Sequence, residues 1–381
     1  MAHLNFDTRP ILVFWESTRA CLLACRHCRA EAMQDPAPGE LTHVEGLRFI
    51  DSLTQFGRPY PVLIMTGGDV LMRTDVFDLV DHARKLGIPV GLAPSVTPKL
   101  TEEAIARICE LGVKTVSISL DGASPAVHEG IRGIPGHFQQ TIAALRQLVS
   151  AGITVQVNTV VMRENIHEFP EIVQILKEVG VKIWEVFFLV SVGRGKSIQE
   201  LGPAEYEDAA HFLYDASRYN LIVRTVEGPF FRRVAAWRRG ESGGGAASAP
   251  RKVAEKFRLG SLYLTLAEEL RDRLGAPFSE SQSQTSGTRD GKGIVFVAHD
   301  GTVFPAGFLP VPLGNIRETD LPVIYREHPL LQDIRAARFT GKCGGCDYQD
   351  ACGGSRARAF AFSGNPLSED PACAYSARMP V

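Results

Sequence analysis

The chain has 381 residues, of which 45% are hydrophobic and 22% charged, and its formal net charge is -2. This length suits one large α/β domain with a smaller one, and the composition is that of an ordinary globular protein. The near-neutral charge gives no indication of binding to nucleic acid or to a membrane surface. The early apolar run ILVFW (11–15) is too short for a signal sequence or a membrane span, so we expect a cytoplasmic protein.

Short apolar segments alternate with amphipathic helical patterns up to about residue 225. Six of these segments are rich in β-branched residues and are bounded by Gly or Pro, which is typical of buried parallel strands. They are residues 11–15, 61–65, 88–93, 114–119, 153–161 and 183–190. The first helix has a capping box formed by Thr42 and Glu45, and it ends at Gly57. Eight strand–helix units would close a TIM barrel, so six predict an α/β fold with a partial (β/α)6 barrel and its chemistry at the C-terminal strand ends.

The pattern changes after residue 225. Residues 240–250 and 279–291 have low-complexity sequences and are predicted to be mobile. The segment 293–307 predicts a hairpin that turns at Asp300 and Gly301, and a cysteine-rich tail follows. We therefore divide the chain into a barrel (1–225), a linker with helices and mobile loops (226–295) and a small cysteine-rich domain (296–381).

The eight cysteines form two clusters and one isolated residue. A reducing cytoplasm, and a chain long enough to build its own core, argue against a disulfide framework. Cys109 stands alone on an apolar helical stripe with Ile105 and Ile108, so we predict that it packs in the core.

The first cluster has the spacing C-x3-C-x2-C and begins soon after the first predicted strand. Thiolates hold both zinc and iron–sulfur clusters. Zinc would need a fourth, distant ligand, whereas a four-iron cluster with three thiolates keeps one iron open for a substrate or cofactor. From the residue types alone both alternatives stay open. The three cysteines are Cys21, Cys25 and Cys28.

This spacing, placed after the first strand of a partial barrel, resembles the radical S-adenosylmethionine (SAM) superfamily. The resemblance implies that Cys21, Cys25 and Cys28 hold a [4Fe–4S] cluster whose fourth iron binds SAM. It further implies that SAM is cleaved to a 5′-deoxyadenosyl radical, which abstracts hydrogen from the substrate. An external one-electron donor of the flavodoxin or ferredoxin type is expected as a partner.

The resemblance also assigns SAM contacts to residues near the strand ends. The segment TGGD (66–69) corresponds to a family motif that usually reads GGE, and SISLDG (117–122) ends the fourth predicted strand. By themselves these residues could equally be turn, surface or core residues. The expected SAM-binding residues are His27, Gly67, Gly68, Asp69, Ser119, Arg132, Asn158 and Leu189.

The tail cysteines have the spacing C-x2-C-x5-C-x20-C, which is a complete ligand set for either zinc or an iron–sulfur cluster. Behind such a barrel the tail resembles a SPASM or twitch domain, which implies an auxiliary [4Fe–4S] cluster. A full SPASM domain carries seven cysteines and two clusters. Here Ala306 and Gly307 stand near the position of an expected upstream cysteine, so we predict one auxiliary cluster. Its ligands would be Cys343, Cys346, Cys352 and Cys373.

Four segments, ESTRACLLACRHCRAEA, SISLDG, GRGK and CGGSRARAFA with the later DPAC, together resemble the tetrapyrrole-modifying branch of the family. The resemblance implies an oxidoreductase or lyase that oxidatively modifies or decarboxylates a tetrapyrrole side chain in haem-type biosynthesis. The alternatives are a maturase that modifies a ribosomally made peptide and, from another class, a zinc-stabilised binding protein. The arginine-rich segment 230–240 either recognises an acidic substrate or forms a solvated amphipathic helix.

Overall fold

The computed structural model describes residues 5–240, 249–284 and 287–375. The predicted mobile segment 240–250 therefore lies largely outside the described residues. The strands are β1 Leu12–Glu16, β2 Val62–Thr66, β3 Val90–Leu92, β4 Thr115–Ser119, β5 Thr154–Val161, β6 Ile183–Phe188, β7 Ile222–Val226, β8 Ile294–Val297, β9 Thr302–Phe304 and β10 Gly314–Asn315.

Helices follow most of the parallel strands and cover the outer face of the sheet. Their bounds are α1 His43–Ser52, α2 Val76–Lys85, α3 Glu102–Glu110, α4 Pro125–Arg132, α5 His137–Ser150, α6 Phe169–Val179, α7 Pro203–Ala216, α8 Phe231–Gly240, α9 Pro250–Phe257, α10 Ser261–Leu274, α11 Leu321–Glu327, α12 Pro329–Arg335, α13 Gly341–Gly344 and α14 Arg356–Ser363. No helix in these ranges combines the length and the apolar character needed to cross a membrane.

All strands of the described chain belong to one sheet, in the order β10-β9-β8-β1-β2-β3-β4-β5-β6-β7. The pairings from β1 to β7 are parallel, and so is the pairing of β8 with β1. This arrangement confirms the predicted α/β fold with a partial barrel. One strand more than predicted, β7, continues the parallel series where the sequence pattern was expected to end.

Local sequence features explain where the first helices begin. Thr42 accepts a hydrogen bond from the Glu45 backbone, while the Glu45 side chain accepts from the Thr42 backbone, so the predicted capping box is present. A 3₁₀ turn extends this helix to Gly57, as expected. Thr101 caps α3 in a similar way. Cys109 differs from its prediction because it is exposed at the edge of the α3 stripe, with its sulfur toward the Ala151 carbonyl.

The predicted hairpin is present, but it does not stand apart from the barrel. β8 and β9 pair with Phe296 opposite Phe304, while the other edge of β8 pairs in parallel with β1. Residues 282–284 run beside Val223 of β7, which differs from the mobile loop that the composition predicts. The division into three domains stays a prediction, and β8 spans its second proposed boundary.

The two faces of the parallel strands differ in packing. Side chains alternate along a strand, and those that face the helices, such as Trp15 and Met65, are fully buried. Those on the inner face, such as Phe14 and Ile64, are only half-buried. The inner face of the barrel is therefore accessible to water or to a ligand.

Candidate functional site

The first three cysteines lie together on the loop between β1 and α1, which we call the cysteine loop. Cys21 and Cys25 are buried and Cys28 is half-buried within the same apolar cluster. Each sulfur faces a nitrogen donor, since Leu23 N lies 3.4 Å from the sulfur of Cys21 and Ala32 N lies 3.5 Å from that of Cys28. The third donor is a guanidinium nitrogen at 3.5 Å from the sulfur of Cys25. Such donors stabilise the thiolate form that metal clusters need.

The predicted glycine pair fixes the start of this loop against β2. Gly68 N donates to Thr18 O at 2.8 Å, and Asp69 N donates to Ala20 O at 2.7 Å. A Cβ atom on Gly68 would lie 2.4 Å from Ala20 O, closer than any real contact. Glycine at this position therefore allows the backbone of the cysteine loop to lie directly against β2.

Asp69 connects β2 to the loop that follows β3. Its carboxylate accepts hydrogen bonds from Leu71 N, Ser95 N and the Thr97 hydroxyl, the last at 2.7 Å. Burial raises the pKa of Asp69 despite these donors. The Ser95 hydroxyl also lies 3.8 Å from the sulfur of Cys21, so the carboxylate positions a residue that contacts the cysteine loop.

The end of the cysteine loop is held by an ion pair at the end of β1. Arg29 donates to Glu16 at 2.7 Å, and its guanidinium stacks 4.6 Å from the centre of the Phe296 ring on β8. His299 contacts the other carboxylate oxygen. Burial opposes ionisation, but Arg29 and His299 hold the pKa of Glu16 below its ordinary value. The loop is therefore anchored to both β1 and β8.

A buried charged group links the cysteine loop to β4. Arg132 lies 2.5 Å from Asp121, and the same guanidinium donates to the sulfur of Cys25. His27 approaches Asp121 at 3.5 Å, while its Nδ1 has no partner in the described chain. Burial lowers the pKa of His27 to about 4, so the imidazole is neutral at physiological pH. Asp121 was missed at the sequence level, although its charge directly after a buried strand in SISLDG was the available signal.

Two other predicted residues lie side by side on the inner face. Ser119 and Asn158 are register partners on β4 and β5, and both are half-buried. The side-chain oxygen Oδ1 of Asn158 accepts a hydrogen bond from Gln156 Nε2 at 2.8 Å. The described chain offers no hydrogen-bond partner to the Ser119 hydroxyl or to the Asn158 amide nitrogen. Both groups are therefore available to a ligand in the barrel.

Leu189 follows β6 and is buried against Ile131 and Met162. Its carbonyl accepts a hydrogen bond from Arg358 of the C-terminal segment at 3.2 Å. The predicted apolar position at this strand end is thus present, and it is also a junction between the barrel and the tail.

The tail cysteines gather where buried arginines are concentrated. Asp370 N lies 3.4 Å from the sulfur of Cys343, and Gly354 N lies 3.5 Å from that of Cys352. Burial raises the pKa of the Cys352 thiol to about 11. The buried arginines around these cysteines are Arg233, Arg289, Arg356 and Arg358. Their positive charges suit a cluster that carries negative charge.

The arginine-rich segment forms α8, and its arginines make contacts within the protein. Arg233 pairs with Glu207 at 2.6 Å, Arg238 pairs with Asp215 at 2.6 Å, and Arg232 holds the carbonyl of Ala351. Arg233 and Arg238 are buried. α8 is therefore not the solvated helix that was considered, and its arginines are occupied by structural contacts rather than open to a substrate.

Within the described ranges no three His, Cys, Asp or Glu side chains are arranged as the ligands of a single metal ion. The thiols of both cysteine sets are donors of the type that either zinc or an iron–sulfur cluster takes.

Comparison with known proteins identifies the class. A family model of the radical SAM superfamily matches residues 15–176. AdoMet-dependent heme synthase of Nitratidesulfovibrio vulgaris is 36% identical over 371 residues, which cover 96% of this chain and 93% of that protein. The chain belongs to the radical SAM superfamily and is an enzyme, so the alternative of a zinc-stabilised binding protein is wrong. Membership implies SAM and a [4Fe–4S] cluster as cofactors.

A second relative narrows the position within the superfamily. Pre-heme d1 synthase of Dinoroseobacter shibae is 29% identical over 377 residues, which cover 97% of this chain and 87% of that protein. With the heme synthase, it places the chain in the haem-biosynthesis branch, as the motifs predicted.

A solved structure confirms the fold. Streptococcus suis SuiB bound to the precursor peptide SuiA has a TM-score of 0.68 and 14% sequence identity, with 97% of this chain and 76% of that chain covered. At this identity the similarity establishes the architecture alone.

Proposed function

We propose that this enzyme cleaves SAM at a [4Fe–4S] cluster held by Cys21, Cys25 and Cys28 and oxidatively decarboxylates a propionate side chain of a tetrapyrrole in haem-type biosynthesis. The observation that carries the proposal is the cysteine loop. Its three hydrogen-bonded sulfurs lie at the barrel mouth of a chain that aligns almost end to end with a heme synthase.

The SAM-binding residues are the predicted ones around the barrel mouth. Ser119 and Asn158 support this role because they lie on the inner face with polar groups that have no partner among the described residues. His27 supports it because its buried Nδ1 also has no partner there. Gly67, Gly68 and Asp69 contribute by holding the loop, and Leu189 by its apolar surface. Arg132 would reach the SAM carboxylate from its position between Asp121 and Cys25.

A [4Fe–4S] cluster with bound SAM supplies the 5′-deoxyadenosyl radical that takes a hydrogen from the propionate. The substrate radical then loses CO2 and one electron, which leaves a vinyl group. We propose that the tail cysteines would hold one auxiliary cluster, which would supply an acceptor for this electron, since the buried arginines around it would stabilise added negative charge. The ligands are Cys343, Cys346, Cys352 and Cys373. An external one-electron donor of the flavodoxin or ferredoxin type would supply the electron to a cluster held by Cys21, Cys25 and Cys28.

The test is anaerobic incubation of the reconstituted enzyme with SAM, a reductant and propionate-bearing tetrapyrroles, followed by mass spectrometry. We expect 5′-deoxyadenosine together with a product that has lost a carboxyl group and one hydrogen. If 5′-deoxyadenosine forms but every tetrapyrrole stays unchanged, the substrate proposal is wrong and a peptide substrate becomes the better alternative. If no 5′-deoxyadenosine forms, the proposed cluster chemistry is wrong.

A further inference from the structure

The inner face of the barrel has an apolar side and a polar side. On the apolar side Phe14 of β1 is the register partner of Ile64 on β2 and of Phe296 on β8. On the polar side one row of register partners crosses four neighbouring strands at the same depth. This row is Ser119, Asn158, Glu185 and Arg224.

Arg224 is the cation of this row, and its hydrogen-bond partners are uncharged side chains. Its Nε donates to the Gln284 side-chain oxygen at 2.6 Å, and its Nη1 lies 3.4 Å from that of Gln156. No carboxylate oxygen of the described chain lies within 4.0 Å of the Arg224 guanidinium, although Glu185 is near enough for the charge of Arg224 to act on its pKa. Its register partner Glu185 instead accepts from Gln156 at 2.9 Å, and burial raises the pKa of Glu185.

A half-buried guanidinium that makes no ion pair in the described chain is stabilised by a ligand that brings a negative charge within hydrogen-bond distance. Its planar donors match a carboxylate in geometry as well as in charge. Three strand spacings separate Arg224 from Ser119, a distance of about 14 Å along the sheet. A substrate held at Arg224 could therefore lie beside SAM at the Ser119 end of the row while its apolar surface contacts the Phe14 side.

We propose that Arg224 binds a carboxylate of the substrate inside the barrel and thereby selects a propionate-bearing macrocycle. This inference rests on the proposed function, and it adds the residue that recognises the acid. Gln284 and Gln156 orient the guanidinium through its Nε and Nη1. The described chain provides no partner for Nη2, which remains available to the ligand.

The test measures binding of iron coproporphyrin III and of its tetramethyl ester to the anaerobically reconstituted enzyme, from the change in porphyrin absorbance. We expect Arg224→Gln to weaken binding of the acid about 10- to 100-fold, as for the loss of a charged hydrogen bond, and to leave binding of the ester unchanged. Arg224→Lys should retain part of the affinity for the acid. The control Arg146→Gln, on the exposed face of α5, should bind both probes like the wild type.

Each other outcome has a distinct meaning. Equal binding of the acid by the wild type and Arg224→Gln would overturn the role of Arg224 and leave the proposed function in place. Equal losses for acid and ester would show that Arg224 only supports the fold, which also overturns the inference. Failure of the wild type to bind the acid would overturn the tetrapyrrole proposal and this inference together.

Discussion

Arg132 donates to the sulfur of Cys25 at 3.5 Å. Its guanidinium is held there by Asp121, at 2.5 Å, and both side chains are buried. Burial opposes the charge of Asp121, yet Arg132 keeps its pKa below the ordinary value. Arg132 was predicted as a SAM contact, and its position gives it a second role toward the cysteine loop.

Arg132→Gln is therefore expected to lower the reduction potential of the cluster that we propose on Cys25, because hydrogen bonds to cluster sulfurs favour the reduced state. SAM cleavage should slow by about tenfold, the effect of one charged hydrogen bond. A redox titration followed by EPR spectroscopy measures the potential, and Arg132→Lys should restore part of it. An unchanged potential in Arg132→Gln would contradict this role.

Gly68→Ala is expected to displace the cysteine loop, because the new Cβ would lie 2.4 Å from Ala20 O. Iron bound per chain after reconstitution should fall, while circular dichroism stays close to that of the wild type. Gly130→Ala is the matched control, since a Cβ there meets nothing within 4 Å. It should keep its iron and gain about 0.5–1 kcal/mol of helix stability. Full iron content in Gly68→Ala would disprove the role assigned to the close approach.

Replacement of Cys343 and Cys346 by Ala should remove about four irons per chain if the tail holds one [4Fe–4S] cluster. SAM cleavage should persist while product formation is abolished, because the substrate radical loses its electron acceptor. Iron analysis and mass spectrometry measure the two effects. Cys109→Ala serves as the control, since Cys109 is exposed and lies outside both cysteine sets. Normal product yield in the double variant would refute the electron relay.

Glu227 provides a prediction for the pH dependence of stability. It is buried next to Asp290, contacts the Ser355 hydroxyl, and its backbone carbonyl accepts from Arg358. Burial and the neighbouring Asp290 raise the pKa of Glu227 well above 4.5. The folded state therefore holds more protons than the unfolded state above pH 4.5, so stability falls as the pH rises through this window.

Glu227→Gln should flatten this dependence, because the amide at this position does not titrate. Urea unfolding from about pH 5 to about pH 8 measures the slope. Glu255→Gln, at an exposed position of α9, should unfold like the wild type. A variant at Glu227 with the slope of the wild type would show that the carboxyl carries no extra proton.

The fold could be predicted from the sequence where information is local. The apolar segments identified β1 to β6, and Thr42 and Thr101 marked two helix starts, because strand burial and capping depend on neighbouring residues. The pairing of β8 with β1 joins residues about 280 positions apart, and no local pattern encodes it. Cys109 was misplaced because a position at the edge of an apolar stripe can face either side.

The candidate site was predictable in its thiols and less so in their surroundings. Both cysteine sets could be identified as candidate ligands because their spacing is a local pattern, and their role as cluster ligands stays a prediction. The partners of Arg132 and Arg233 could not, since Asp121 and Glu207 come close only through the tertiary fold. Arg224 was missed for the same reason, because its place in the row of polar side chains depends on the pairing of β7 with β6.

The hydrogen bonds between β1 and β8 have a mechanical consequence. β1 leads to the loop with the first cysteines, β8 begins the segment that continues to the last four, and the two strands are hydrogen-bonded neighbours. If both sets carry clusters, this pairing joins their supports within one sheet, so an electron could pass between them without a domain movement. The rate of electron transfer would then depend on the side chains between the two clusters.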